Sequence, residues 1–227
     1  MIWWELPGYV VAFTTRVGGV SEAPYDSLNL SRGTGDDPVR VEHNRRIACE
    51  AVGVPYERLA FNRQVHSPTV HRADPGVRGA PGDGLWTDER RVPLLAMSAD
   101  CLPIAVATTD GPPRLAVLHA GWRGLADGVV EAGVNVLGVA PKAAVIGPAI
   151  GPCCYDVGPE VAARYDADLT HDGRLDLWTA AERALRRAGV EQVERVDLCT
   201  RDHAELFFSH RRDGLARGVQ GVIGAIA

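Results

Sequence analysis

Residues 97–124 read MSADCLPIAVATTDGPPRLAVLHAGWRG, and the pattern of this stretch decides the fold. Two short apolar runs, IAVA and LAVLHA, flank a turn made of Asp110, Gly111, Pro112 and Pro113. Runs of this length, bounded by Gly and Pro, predict two buried strands folded back on each other. Cys101 opens the first run and His119 closes the second. Such a hairpin brings a thiol and an imidazole out at one end of a sheet. That pair suits either a metal site or a nucleophile and its base. The plain alternative is a core cysteine beside an unrelated edge histidine, since free cysteine is among the most buried residue types. The Gly-Trp-Arg-Gly that follows (121–124) favours a site. Its glycines permit a close backbone approach, and Trp122 and Arg123 offer a stacking face and a charged fork.

Outward from this centre, residues 10–16 alternate as a strand and run into a turn at 17–21. Asp37-Pro38 is a helix start, with the Asp as cap and the Pro in the first turn. The helix that follows carries Val41, Ile47, Ala48 and Val52 as its apolar face, places Asn44 and Arg45 mid-helix, and ends at Gly53 and Pro55. Residues 59–73 read as extended chain broken at Pro68, and a Gly/Pro-rich loop then leads into Asp83-Gly84-Leu85-Trp86-Thr87. Beyond the hairpin, Leu125, Val129, Val136 and Leu137 have helical spacing, weakened by glycines. The stretch AAVIGPAIGPCCYDVG reads as a buried strand entering a loop, with Cys153 and Cys154 as tight loop packing. Helices are expected over 159–165 and 177–188, a strand over 193–200, and a capped helix from Asp202 through Phe208. The run VQGVIGAI reads as a closing strand. Short turns and an excess of strands predict one α+β domain over 1–227, a mixed sheet flanked by helices.

Composition narrows the function classes. With 46% hydrophobic and 23% charged residues, the 227-residue chain is that of a globular protein. A net charge of −5 gives no support for binding nucleic acid or an anionic membrane. No apolar run reaches the ~18 residues of a membrane span. The start, MIWWELPGYV, lacks the basic and apolar regions of a secretory signal. Five scattered cysteines argue for a reducing compartment. The expectation is a cytoplasmic protein, with nothing that demands more than a monomer. Of the seven histidines, His43, His71 and His171 read as surface residues. His66 differs, lying in a strand-like segment between Gln64 and a Ser-Pro turn, which makes it a candidate ligand without an adjoining HxH or CxxC.

Several stretches then carry a resemblance. FTTRVGGVS (13–21), GDDPVRVEHNR (35–45), NRQVHS (62–67), DGLWT, SADCLPI, HAGWRG, IGPAIGPCCYDVG and SHRRDG (209–214) occur in order along nearly the whole chain. In these the chain resembles the multicopper-laccase-like proteins now described as purine nucleoside phosphorylases, a family that also contains bacterial peptidoglycan editing factors. The resemblance implies a fold similar to that of cysteine-hydrolase toxins, and a zinc (or copper) site made by His66, Cys101 and His119. It also implies phosphorolysis of purine nucleosides with inorganic phosphate as co-substrate, and deamination of adenosine at C6. Two imidazoles and a thiolate leave zinc an open fourth position, the mark of a catalytic site. Within the matching motifs, Arg45 is the first candidate to host phosphate and Arg123 the second, unless Arg123 is a structural arginine pairing with a strand-end carbonyl. Gln64 is a candidate to bond base or ribose, Tyr155 to stack unless it only packs in the core, and Asp83 to act as acid or base unless it only forms a turn. Ser67 stands where the family usually has Gly, and the ending RRDGLARG is one residue shorter than the usual DG-x-TGR, which bears on Arg217. The chain has no His-x-His pairs, so an oxidase mechanism gains little. A metal-free cysteine hydrolase acting on peptidoglycan precursors, with Cys101 as nucleophile and His119 as base, is the alternative, and a non-catalytic metal binder is a third.

Overall fold

In the computed structural model, which describes residues 1–227, the hairpin is present and occupies the middle of a sheet. In chain order the first elements are β1 (Ile2–Trp4), β2 (Tyr9–Phe13), α1 (Pro38–Ala51), β3 (Ala60–Arg63), β4 (Val70–Arg72), β5 (Arg78–Pro81) and β6 (Gly84–Thr87). Then come β7 (Leu94–Ser98), the hairpin strands β8 (Leu102–Thr108) and β9 (Leu115–Ala120), α2 (Trp122–Ala126), α3 (Val129–Asn135) and β10 (Lys142–Ile146). The chain ends with α4 (Pro159–Ala162), β11 (Thr170–His171), β12 (Arg174–Leu175), α5 (Leu177–Arg187), β13 (Gln192–Arg195), α6 (His210–Asp213) and β14 (Gln220–Ile226).

The mixed sheet is built as two six-stranded sheets. One has the order β1-β2-β14-β7-β3-β5 and the other β13-β10-β8-β9-β6-β4, and both contain parallel and antiparallel pairs. Side-chain alternation assigns each strand two duties. On β8, Ile104 and Val106 join the cluster under α3 and α5, while Ala105 and Ala107 face the other sheet. On β9, Leu118 packs outward and Leu115 and Val117 pack inward against Phe13, Leu94 and Val222. A third cluster seats Ala48 and Cys49 of α1, with Val52 just past its end, on Ala12, Leu95 and Ile223. The result is four layers, helix–sheet–sheet–helix.

Local signals explain several boundaries. Asp37 accepts from the Val39 amide, and Pro38 occupies the first turn of α1. At its other end Gly53 has φ +70°, with Val54 N–H donating to Cys49 O and Gly53 N–H to Glu50 O. This αL closure is cheap for glycine. The helical spacing after residue 122 is split into α2 and α3 at Gly128, φ +95°. The closing strand forms as expected, and one expected helix does not. The closing strand β14 lies at the centre of its sheet, between β2 and β7. The helix expected from Asp202 through Phe208 is replaced by turns, because the Asp202 carboxylate accepts the Cys153 and Cys154 thiols instead of capping. The helix forms later, as α6, capped by Ser209. No helix is long and apolar enough to cross a membrane.

Candidate active site

The register of the hairpin brings the two candidate residues together. Pro103 stands opposite His119 and Leu102 opposite Ala120, so Cys101, one residue before β8, meets the end of β9. His119 shares the inward face of β9 with Leu115 and Val117 by alternation. The loop after β3 adds His66, whose backbone is held at φ +61°. Its Nε2 lies 3.8 Å from Cys101 Sγ, and one ligand atom from each of His66, Cys101 and His119 falls within 4.8 Å of the others. A tetrahedral zinc with bonds of about 2.0–2.3 Å separates its ligand atoms by roughly 3.5 Å, so the donor set fits with little movement.

Asp83 organises this cluster. Its buried carboxylate accepts from His119 Nδ1 at 2.8 Å, from the amides of Val65, His66 and Ser67 at 3.1, 3.0 and 2.7 Å, and from Ser67 Oγ at 2.9 Å. One side chain therefore orients the His119 ring and fixes the loop that carries His66. The His119 contact puts the proton on Nδ1 and leaves Nε2 free to ligate, the arrangement common to metal-bound histidines. Burial alone would raise the Asp83 pKa, but the His119 and Ser67 bonds outweigh it and hold the carboxyl well below its usual range. Five donated bonds on one carboxylate give Asp83 a positioning role, beyond the turn or the acid and base named for it from the sequence. Ser67 is absorbed by the same contacts, its hydroxyl serving where a glycine would contribute only an amide. Burial pushes the Cys101 thiol up, yet the neighbouring His119 and His66 prevail and bring it down. Burial also disfavours the His119 cation, but Cys101 and Asp83 overcome it and raise the ring's pKa. Gly121 is required by closeness: a Cβ there would lie 2.7 Å from His66 Cδ2 and 2.9 Å from Cys101 Sγ.

The cluster opens into a cavity of about 930 Å³, a size suited to a small-molecule ligand. Arg45 and Gln64 line it, but both are engaged elsewhere. Arg45 is 3% exposed, donates to Leu30 O and Glu42, and lies over the Phe61 ring. Gln64 pairs through both of its amide atoms with the Met97 backbone, at 2.5 and 2.8 Å. It holds β3 to β7 rather than waiting for a base or ribose. The expectation for Arg123 and Tyr155 is also corrected. Arg123 is exposed over the Trp122 ring, and Tyr155 is packed in the outer core with Arg211 over its face; neither lines the cavity. In their place the cavity presents Arg63 and Ser98, which the sequence reading did not select, and Arg217, on which the shortened RRDGLARG ending bears. Arg217 buries an Nε with no partner, and Ser98, 4% exposed, has an unpaired hydroxyl. The ADC motif begins one residue after Ser98; that adjacency was the available signal.

A four-layer sandwich with a His–Cys–His donor set beside a cationic cavity defines the class of molecule. Over residues 10–226 the chain matches the family described as multi-copper polyphenol oxidoreductase laccase, and it belongs to that family. It is 35% identical to a purine nucleoside phosphorylase of Haemophilus influenzae over 236 residues, covering 97% of this chain and 96% of that one. Its counterpart in Pseudomonas aeruginosa is 41% identical over 224 residues, covering 92% and 90%. Among solved structures, YlmD from Geobacillus stearothermophilus has the same fold, with a TM-score of 0.90 at 34% identity and coverage of 100% of this chain and 96% of that one.

Proposed function

We propose that this protein is a zinc-dependent purine nucleoside phosphorylase whose metal is held by His66, Cys101 and His119. The observation that carries this reading is Asp83, which binds His119 and the His66 loop at once and so aims two imidazoles and a thiol at one point. The names of the relatives supply the substrate class. A bound zinc would contribute Lewis-acid chemistry and leave one coordination position open.

The chain's own groups do the rest. Arg217 and Arg63 receive the phosphate dianion at the cavity wall, and Arg45, already braced by Glu42, adds positive charge behind them. Desolvation disfavours the Arg217 cation when the cavity is empty, so an anion there restores a missing partner. The Ser98 hydroxyl donates to the ligand. A phosphate oxygen attacks C1′ of the ribose, the C1′–N bond breaks, and its electron pair leaves with the base, which takes up a proton. The products are free base and ribose 1-phosphate. Deamination of adenosine, in which water displaces ammonia from C6, is proposed for the same cavity.

One observation keeps a second reading open. Cys101, His119 and Asp83 also make a thiol–imidazole–carboxylate chain of the kind used for nucleophilic hydrolysis, as a peptidoglycan-precursor hydrolase would need. The second imidazole, His66, is what such a chain does not require. The test is His66→Ala, with zinc content and phosphate-dependent turnover of adenosine, inosine and guanosine measured on the same preparation. The variant is expected to lose one zinc per chain together with turnover. Unchanged turnover, or hydrolysis that survives chelation and is abolished by a thiol reagent on Cys101, would transfer the assignment to the cysteine hydrolase.

A further inference from the structure

A second donor cluster lies outside the cavity. Cys153 and Cys154, read in the sequence as loop packing, meet Cys199 and Asp202 from the far end of the chain, and one ligand atom from each lies within 4.8 Å of all the others. All five cysteines of the protein are free thiols. We propose that Cys153, Cys154, Cys199 and Asp202 form a second metal site, for a thiophilic divalent cation of the zinc class, separate from the His66–Cys101–His119 centre.

The chemistry of the donors selects the ion. Three sulfurs and one carboxylate favour d10 cations over magnesium or calcium, which take oxygen ligands. Four protein ligands fill a tetrahedron and leave no open position, so the site is closed and structural. With bonds of about 2.3 Å the sulfurs of such a tetrahedron stand roughly 3.7 Å apart, so closing from the separations present here needs a contraction of about 1 Å at most. Coordination replaces three S–H protons, released to solvent, with one divalent cation.

The geometry is already prepared. Both thiols of the adjacent pair point at the same carboxylate, Cys153 Sγ at 3.2 Å from Oδ2 and Cys154 Sγ at 3.0 Å from Oδ1 of Asp202. The Gly151 amide donates to Cys199 Sγ at 3.3 Å, and amide bonds of this kind stabilise a thiolate and tune a metal site. Cys154 and Cys199 are buried at 6% and 5% exposure, while Cys153 is exposed and gives an ion its route in. Backbone pairing keeps the segments in place: Ala149 bridges Cys199, and Thr200 N–H donates to Ala149 O. Arg201 flanks Asp202 and offsets part of the surplus negative charge.

The position gives the site a purpose. The same two segments grip Asp100, the residue before Cys101. The Ile150 amide donates to Asp100 O, and the Thr200 hydroxyl donates to Asp100 Oδ1 at 2.7 Å. Asp100 itself is held at φ +87°. A metal that clamps the 151–154 turn to the 199–202 loop therefore stiffens the backbone that presents Cys101.

The test is a cadmium titration of the metal-free, reduced, full-length protein, followed by the ultraviolet sulfur-to-cadmium charge-transfer band and by cadmium-113 NMR. Wild type is expected to bind two ions, with a band equivalent to four thiolates and two resonances. Cys101→Ala is expected to keep one ion with three thiolates. Cys153→Ser, at an exposed position that leaves the core intact, is expected to keep the first site and weaken the second at least tenfold. Absence of cadmium binding in Cys101→Ala, or unweakened binding of the second ion in Cys153→Ser, would each overturn the proposal.

Discussion

Replacing Asp83 with asparagine would test whether one carboxylate organises the site. The change is nearly isosteric but turns one acceptor oxygen into a donor. Whichever way the amide turns, its NH2 faces donors: His119 Nδ1 and the His66 amide on one side, or the Val65 amide and both Ser67 groups on the other. The ring can answer by changing tautomer, so that the introduced amide donates to Nδ1 and the proton moves to Nε2, where it blocks ligation. Loss of such an orienting partner weakens metal binding by about 10–100-fold, or about 1.4–2.7 kcal/mol. In the metal-free protein, at least two bonds to an anion are lost, each contributing about 1.5–3 kcal/mol, so unfolding should become easier by about 3–6 kcal/mol. Zinc affinity would be measured by competition with a chromophoric chelator, and stability by urea unfolding of the metal-free form. If Asp83→Asn bound zinc within threefold of wild type, Asp83 would not set the His119 tautomer, and its place as organiser of the site would be refuted.

Three further outcomes follow from the packing. Gly121→Ala would drive a methyl against His66 and Cys101 Sγ, so zinc affinity should fall at least tenfold while the urea midpoint moves little; equal zinc binding would show that the backbone can yield. Leu118→Ala, fully buried between β9 and the helices, should cost about 3 kcal/mol in urea unfolding, and a loss under 1 kcal/mol would contradict the packing. Burial in the α1 cluster pushes the Cys49 thiol from 9.0 to about 12. The folded state then holds its proton more tightly than the unfolded state, so this contribution is whole below pH 9 and lost as pH rises from 9 to 12, at up to about 1.4 kcal/mol per pH unit. The difference between wild type and Cys49→Ala in urea unfolding at pH 8.5, 9.5 and 10.5 reads it; parallel pH profiles would refute it.

What the sequence by itself determined were features written over short distances. The 110–113 turn and its apolar flanks specify the hairpin, and a hairpin must bring residues 101 and 119 to one end. Asp37-Pro38 and Gly53 mark α1 because capping and αL closure depend on a few neighbouring residues. The motifs also carried the family, and with it His66, which no local periodicity singles out. Tertiary structure alone decided what depends on distant pairings. β14 is an apolar run like any other until pairing places it between β2 and β7, since sheet order is set by which faces become buried together. Arg45, Gln64, Arg123 and Tyr155 occur in matching motifs, yet only the packed chain shows that the first two are bonded within the protein and that the last two do not line the cavity. Asp83 reads as a turn residue because the five donors that make it the organiser of the site come from two other segments. Residues 202–208 carry a capping pattern, but cysteines some 50 positions away claim the Asp202 carboxylate first. A side chain has a limited number of bonds to make, and only the folded chain decides which partner receives them.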